Sequence, residues 1–514
     1  MSVSTYLRDT IQQGNFGIVL WHKIGKGTFG DVSRVELYLT PDDSPIMSII
    51  EKHYKKGHYS TEGIAQDVAR ETRGLYHASQ RCCRHIVKMF DTAVERTDCG
   101  YNFSTYLEDM EYSLLQFEKL GQGEAIKVMI GLCTGLLELN SMGFMHRDLK
   151  PGNCLLKKGK SFYDSKIADL GTLRHVSTNV DGRCYTAAGD ICTLQYRPID
   201  SLLGNIHYGK EFDIWSLGCI HGQLRTGKVM FHTSEGSEYS QIVSIFREIG
   251  YPSDESIEYL KGLKSWRKEF LENRSEEGTF FHPDGMSKTG KRKRSNDVLF
   301  DEQERQLLMQ CFEMNPNKRI TTCVLLELMI SMDEEQEENK KARRKYIADL
   351  KKQEKQENRN IHYDEETVLR VLQVLNQREE EKNNMIQAIE YTKKLIIRYK
   401  QVNESGGGEN DAAVTCESVS DTQERLKKLL SVCGVSTNHH NLPFCSFKEV
   451  SDGLLTCTCF FHAMKLYMIE MPRLSDLIDR FYQGQKFEAN HVIELEFDIE
   501  RISRTMFNDE IFNE

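Results

Sequence analysis

The chain reads as an α+β protein: a small β-rich lobe, a larger helical lobe, and an all-α domain at the C-terminal end. Three observations predict this. Residues 17–110 alternate short β-like runs (GIVLWHKIG, DVSRVELYL, PIMSIIEKHY, HIVKMFD) with one helical stretch around Glu71. From Gly121 to about Met332 the hydrophobic pattern is mainly helical, broken by loops. After Met332 the composition turns sharply charged, and helical apolar periodicity returns beyond Asp364. The expected boundaries are 1–16 for an N-terminal extension, 17–332 for the two-lobed domain, 333–362 for a charged, solvated helical linker and 363–514 for a helical domain.

A chain of 514 residues can bury at least two cores. Its 39% hydrophobic and 28% charged content suits a soluble globular protein. The net charge of −10 argues against a general nucleic-acid or anionic-membrane binder, so neither is expected as a partner. No apolar run reaches membrane-spanning length. Fifteen cysteines form no disulfide framework and no signal peptide follows Met1, so the expected setting is a reducing compartment, cytoplasmic, nuclear or both.

In the small lobe, IGKGTFGDV (24–32) sets Gly25, Gly27 and Gly30 between two strand-like runs. Small residues let a hairpin fold closely over phosphate oxygens with its amides as donors. About twenty residues on, IIEKHYKK offers Lys52 as the lysine for the α- and β-phosphates, with Lys55 and Lys56 as rivals. The stretch EGIAQDVARE (62–71) then begins an amphipathic helix that ends in the pair Arg70-Glu71.

In the large lobe, MHRDLKPGN (145–153) and KIADLGTLR (166–174) carry the chemistry. Phosphoryl transfer requires a carboxylate by the attacking hydroxyl, a cation by the γ-phosphate, and oxygen ligands for Mg²⁺. Asp148, Lys150, Asn153 and Asp169 supply these types in the order and spacing of the eukaryotic protein kinases, which the chain here clearly resembles. The resemblance implies a bilobal kinase fold using ATP and Mg²⁺. Asp148 would orient the substrate hydroxyl, Lys150 the γ-phosphate, and Asn153 and Asp169 the metal ions. It further implies a nucleotide-binding set of Ile24, Gly25, Gly27, Gly30, Val32, Lys52, Glu71, Glu108 and Met110. Lysine two residues after Asp148, followed by Pro151, is similar to the serine/threonine branch. Asp213 in FDIWSLGCI would brace the catalytic loop, and Arg319 in NPNKRIT would pair with Asp200 of TLQYRPID, where the family usually has glutamate.

EGIAQDVARE, HIVKMFD, TLQYRPIDSLLG and IFREIGYPSDE together resemble the cyclin-dependent kinase group, over about residues 17–330. That implies protein substrates, a preference for Ser/Thr before proline, and a cyclin partner. Thr28-Phe29 stands where relatives carry a Thr-Tyr pair, which removes inhibitory tyrosine phosphorylation there. Arg70, Arg147 and Arg174 are three cations from separate segments that an anion would join, and phosphorylated Thr186 is the best candidate, ahead of Tyr185.

In the tail, FFHAMKLYMIEMPRLSDL (460–477) and FEANHVIELEFDIERI (487–502) resemble a cyclin box, with Ala463, Lys465, Pro472 and Glu496 near the family spacings. Lys465 and Glu496 would be its paired charges, and MIQAIEYTKKLIIRYK its preceding helix. The tail would then press on the 62–71 helix and bring Glu71 to Lys52. The alternatives are a kinase with an unrelated docking tail, or a silent binding module of kinase fold. KTGKRKR (288–294) is either a nuclear localisation signal or a basic loop, and HHNLPFC with CTC is a weak zinc candidate.

Overall fold

The computed structural model describes residues 19–26, 30–37, 47–54, 63–97, 100–157, 161–176, 184–185, 192–250, 252–271 and 300–357, and in the tail residues 388, 391–392, 458–459, 461–465, 492 and 496. These fall into two compact units, one drawn from 1–83, 87–109 and 361–514, the other from 84–86 and 110–360.

The first unit is built on an antiparallel sheet of β1 (Val19–Lys26), β2 (Gly30–Leu37), β3 (Met47–Tyr54), β4 (Met89–Thr97) and β5 (Gly100–Glu108), in the order β1-β2-β3-β5-β4. β3 is central, so Lys52 stands opposite Val32 on one side and Thr105 on the other. The helix α1 (Gln66–Gln80) carries Val68, Ala69, Thr72 and Leu75 on its buried side, the three- and four-residue spacing of an amphipathic helix. Apolar burial of this kind is worth roughly 1.5–3 kcal/mol per large side chain. HIVKMFD is strand only from Met89, and its Ile86 instead forms a single bridge to Ile167. Every described tail residue is helical and, as far as burial is described, buried.

The second unit contains β6 (Tyr112–Ser113), α2 (Gln122–Ser141), β7 (Phe144–Met145), β8 (Cys154–Leu156), β9 (Lys166–Ile167), β10 (Arg174–His175), β11 (Cys184–Tyr185), α3 (Ile199–Leu202), β12 (His207–Tyr208), α4 (Glu211–Thr226), α5 (Glu238–Ile249), α6 (Asp254–Lys261), α7 (Glu302–Cys311), α8 (Thr322–Met332) and α9 (Glu337–Glu357). α2 is buried on nearly every side, as its unbroken run MIGLCTGLLEL demands. α4 is similarly central, and its Trp215 packs on Phe231 and Phe312 at ring distances of 5.8 and 5.1 Å. Caps fix the outer helices: Asp301 accepts the Glu304 N–H at 2.8 Å, and the Thr321 hydroxyl accepts that of Val324.

The charged run after Met332 is helical, but the expectation of a solvated connector is corrected. Lys340, Ile347 and Leu350 are buried, with Arg343 and Tyr346 half-buried beside them, while Lys341, Arg344, Lys345 and Asp349 face water. Arg343 lies 4.3 Å over the Tyr163 ring and pairs with Glu335 at 2.9 Å. Two apolar side chains on such a helix suffice for docking when aliphatic stems and one guanidinium stack beside them.

Candidate active site

Lys52 and Glu71 meet. Lys52 Nζ donates to both Glu71 oxygens at 2.7 Å, and the buried Tyr54 hydroxyl donates to Glu71 Oε2 at 2.9 Å. Tyr54 escaped the sequence reading, although its position two residues after Lys52 puts it on the same face of β3. Lys55, Lys56 and Gly27 lie outside the described residues. Gly30 is required by space, since a β-carbon there would overlap the His53 carbonyl. Ile24 is 50% exposed, and Gly25 and Val32 are half-buried partners across the β1–β2 hairpin. Glu108 closes β5 opposite Ile49, and Met110 follows, buried, its carbonyl accepting the Tyr112 N–H.

The catalytic-loop residues converge within the second unit. Asp148 Oδ2 accepts from Lys150 Nζ at 2.6 Å, and Oδ1 accepts from the Thr193 N–H at 2.9 Å and its hydroxyl at 3.0 Å. Lys150 also donates to the Thr193 hydroxyl at 3.1 Å. Thr193 thus fixes the carboxylate from the far end of the activation segment. Asn153 Nδ2 donates to the Asp148 carbonyl at 2.9 Å, which turns its Oδ1 the other way. Asp169 stands in the left-handed region, φ 61°, just before the turn Leu170–Thr172. An amide oxygen and a carboxylate are hard donors that suit Mg²⁺, with water and phosphate completing its octahedron. Among the described residues no cluster of three His, Cys, Asp or Glu could hold a metal by itself. His439, His440, Cys445 and Cys457 of the zinc candidate lie outside them.

Asp213 accepts the backbone N–H groups of His146 and Arg147, both at 2.7 Å, and so fixes the catalytic loop from α4. Burial pushes its carboxyl above the ordinary range, against those two bonds. Arg147, at φ 71°, donates to the Thr172 carbonyl and the Tyr208 hydroxyl. Arg174 is buried in β10 opposite Met145. Arg70 is half-buried on α1 in the other unit, and Thr186 lies outside the described residues, although β11 just before it pairs with β12. Arg319 meets Asp200 at 2.8 Å as the sequence predicts, and also donates to the Glu211 and Glu313 carbonyls.

Two further features complete the geometry, of which the first was not foreseen. Cys192 has φ 67°, and its carbonyl accepts from Arg197 Nη2 at 2.9 Å. In the first unit, Lys465 Nζ and Glu496 form a buried pair at 2.6 and 2.7 Å, and Glu496 Oε2 accepts the Ile64 N–H at 3.1 Å, just ahead of α1. Farther along α1, the Arg73 guanidinium lies 4.0 Å over the Tyr391 ring.

The protein kinase domain model matches residues 18–329 and ends before the tail. The chain is 31% identical over 258 residues to Cell division control protein 2 homolog C of Antirrhinum majus, covering 48% of this chain and 79% of that one. It is 31% identical over 255 residues to Cyclin-dependent kinase B2-2 of Arabidopsis thaliana, covering 48% and 76%. With Cyclin-dependent kinase B1-1 of the same plant the identity is 29% over 258 residues, covering 48% and 79%.

Proposed function

The chain belongs to the protein kinase family as a serine/threonine kinase of the cyclin-dependent type, and from that premise we propose that it phosphorylates Ser or Thr before proline, activated in cis by its own tail. The arrangement around Asp148 carries the chemical reading. With Thr193 and Lys150 holding its two oxygens, the carboxylate is oriented to take the hydroxyl proton of a substrate. The hydroxyl oxygen bonds the γ-phosphorus of ATP as the bond to the bridging oxygen breaks, and ADP leaves with that electron pair. Lys150 neutralises charge on the transferred group, and Lys52, held by Glu71, orients the α- and β-phosphates. Bound Mg²⁺, held by Asn153 and Asp169, would offset charge on the phosphate oxygens. Glu108 and Met110 offer backbone groups to the adenine.

The choice of proline is supported by Cys192. Its left-handed φ and the Arg197 bond engage the carbonyl that would otherwise accept a substrate N–H, and proline has none to satisfy. Phosphorylated Thr186 fits the same scheme, since the described partners of the Arg147 guanidinium are neutral oxygens.

Activation in cis is supported by the Ile64–Glu496 bond, which seats the Lys465–Glu496 pair on the segment that starts α1. Covalent attachment makes such docking intramolecular, which raises the effective concentration of the tail. The test is phosphorylation of Ser-Pro and Ser-Ala peptides by the full-length chain without added cyclin. Wild type should act on Ser-Pro alone, Asp148→Asn should lose about 10²–10⁴-fold, and Lys465→Ala should lose most activity. Full turnover by Lys465→Ala would dismiss activation by the tail, and equal use of Ser-Ala the choice of proline.

A further inference from the structure

Glu138 is a fully buried carboxylate late in α2, away from the Asp148 cluster. It accepts the Arg84 N–H at 2.8 Å, the His85 N–H at 3.0 Å and the Tyr346 hydroxyl at 2.8 Å. Three donors make a buried charge tolerable, and losing one leaves an oxygen under-satisfied where water is scarce. Two of them are backbone groups of the segment that follows α1. The third comes from α9.

The 84–86 segment is tied onward to the strand ahead of Asp169. The Ile167 N–H donates to the His85 carbonyl at 2.8 Å, His85 Nδ1 lies 3.0 Å from the Ser165 carbonyl, and Ile86 bridges Ile167. Space enforces this contact, since a β-carbon on Gly135 would lie 2.5 Å from the His85 carbonyl. α9 covers the segment as well, with Arg84 over the Tyr346 ring at 5.7 Å, and is itself anchored by Ile347, Leu350 and Arg343.

We propose that Tyr346 is a positioning residue of the kinase. Its hydroxyl on Glu138 fixes the 84–86 segment, and through Ile167 the strand that leads to Asp169. α9 is therefore a working part of the catalytic unit, beyond its duty as a connector and independent of what the tail does.

The test uses full-length Tyr346→Phe, which keeps the ring and removes one oxygen, and reads amide hydrogen exchange with ATP and peptide kinetics. The Arg84 and His85 amides should exchange about tenfold faster, kcat/KM for ATP should fall about fivefold, and KM for the peptide should not move. The Ile64 amide, which reports the tail contact, should be unchanged, so a failure of tail activation is seen separately. Glu138→Gln should give the same signature more strongly, and its double variant with Tyr346→Phe should be less than additive. Unchanged exchange at Arg84 and His85 in Tyr346→Phe overturns the proposal. So does faster exchange with wild-type kcat/KM.

Discussion

Replacing Gly63 with alanine examines the link between tail and helix with a single methyl group. Gly63 has φ +69°, and a β-carbon there would overlap Glu496 Oε2 and lie 3.2 Å from Lys465 Nζ. Two penalties arise, and only one concerns docking. The left-handed backbone costs alanine roughly 1–2 kcal/mol, but this is present whether or not the tail is seated. Overlap with Glu496 must be relieved by moving the carboxylate, which forfeits its bond from the Ile64 N–H. A charge-assisted bond of this kind is worth about 1.5–3 kcal/mol, a fall in the docking constant of about 10–150-fold. Ser-Pro peptide phosphorylation should drop accordingly, with faster exchange at the Ile64 amide. A double-mutant cycle with Glu496→Ala isolates the coupling, because truncation removes the carboxylate that the new methyl would overlap. Wild-type activity and exchange in Gly63→Ala, or strict additivity in the cycle, would refute the reasoning.

Three other outcomes follow from buried polar groups. Arg319→Met strands the Asp200 carboxylate with Asn205 as its described donor, so thermal unfolding should show a loss of about 3–5 kcal/mol, and a loss below 1 kcal/mol would mean the pair is solvated. Tyr54→Phe removes a donor from Glu71 while leaving Lys52, so kcat/KM for ATP should fall about five- to tenfold, and an unchanged value would show that Lys52 alone sets the carboxylate. Burial pushes the His85 imidazole below its ordinary 6.5, outweighing the upward pull of Glu138, with Arg343 and Lys166 adding to the depression. The unfolded chain then binds a proton first, so His85 destabilises the fold as pH drops below 6.5, an effect absent above it. Urea midpoints between pH 8 and 5 should fall more steeply for wild type than for His85→Asn, and parallel slopes would contradict this.

The grouping of Asp148, Lys150 and Asn153 was legible because the three are sequence neighbours in the order and spacing of the kinase motif, and the structure brings them together. Lys52 with Glu71, Lys465 with Glu496, and Arg319 with Asp200 were legible through spacing and resemblance, and each pair is in contact. Thr193 and Glu138 were hidden because their partners lie 45 and up to 208 residues away, and nothing local marks them. β5 was missed because GYNFSTYLE has few aliphatic residues, and its place between β3 and β4 is settled by pairing rather than propensity. α9 was taken as solvated because its charge masks a narrow stripe of contacts.

Arg147, Asp169 and Cys192 share a property beyond their places around Asp148: each is a residue with a side chain held at φ between 61° and 71°. Such backbone costs of order 1–3 kcal/mol per residue, and the surrounding bonds to Asp213 and Arg197 sustain it. Durability and turnover are therefore opposed at these positions. Selection of this enzyme for heat resistance alone would favour glycine at Cys192, relaxing the turn. Selection for the present geometry around Asp148 keeps the tension in the chain.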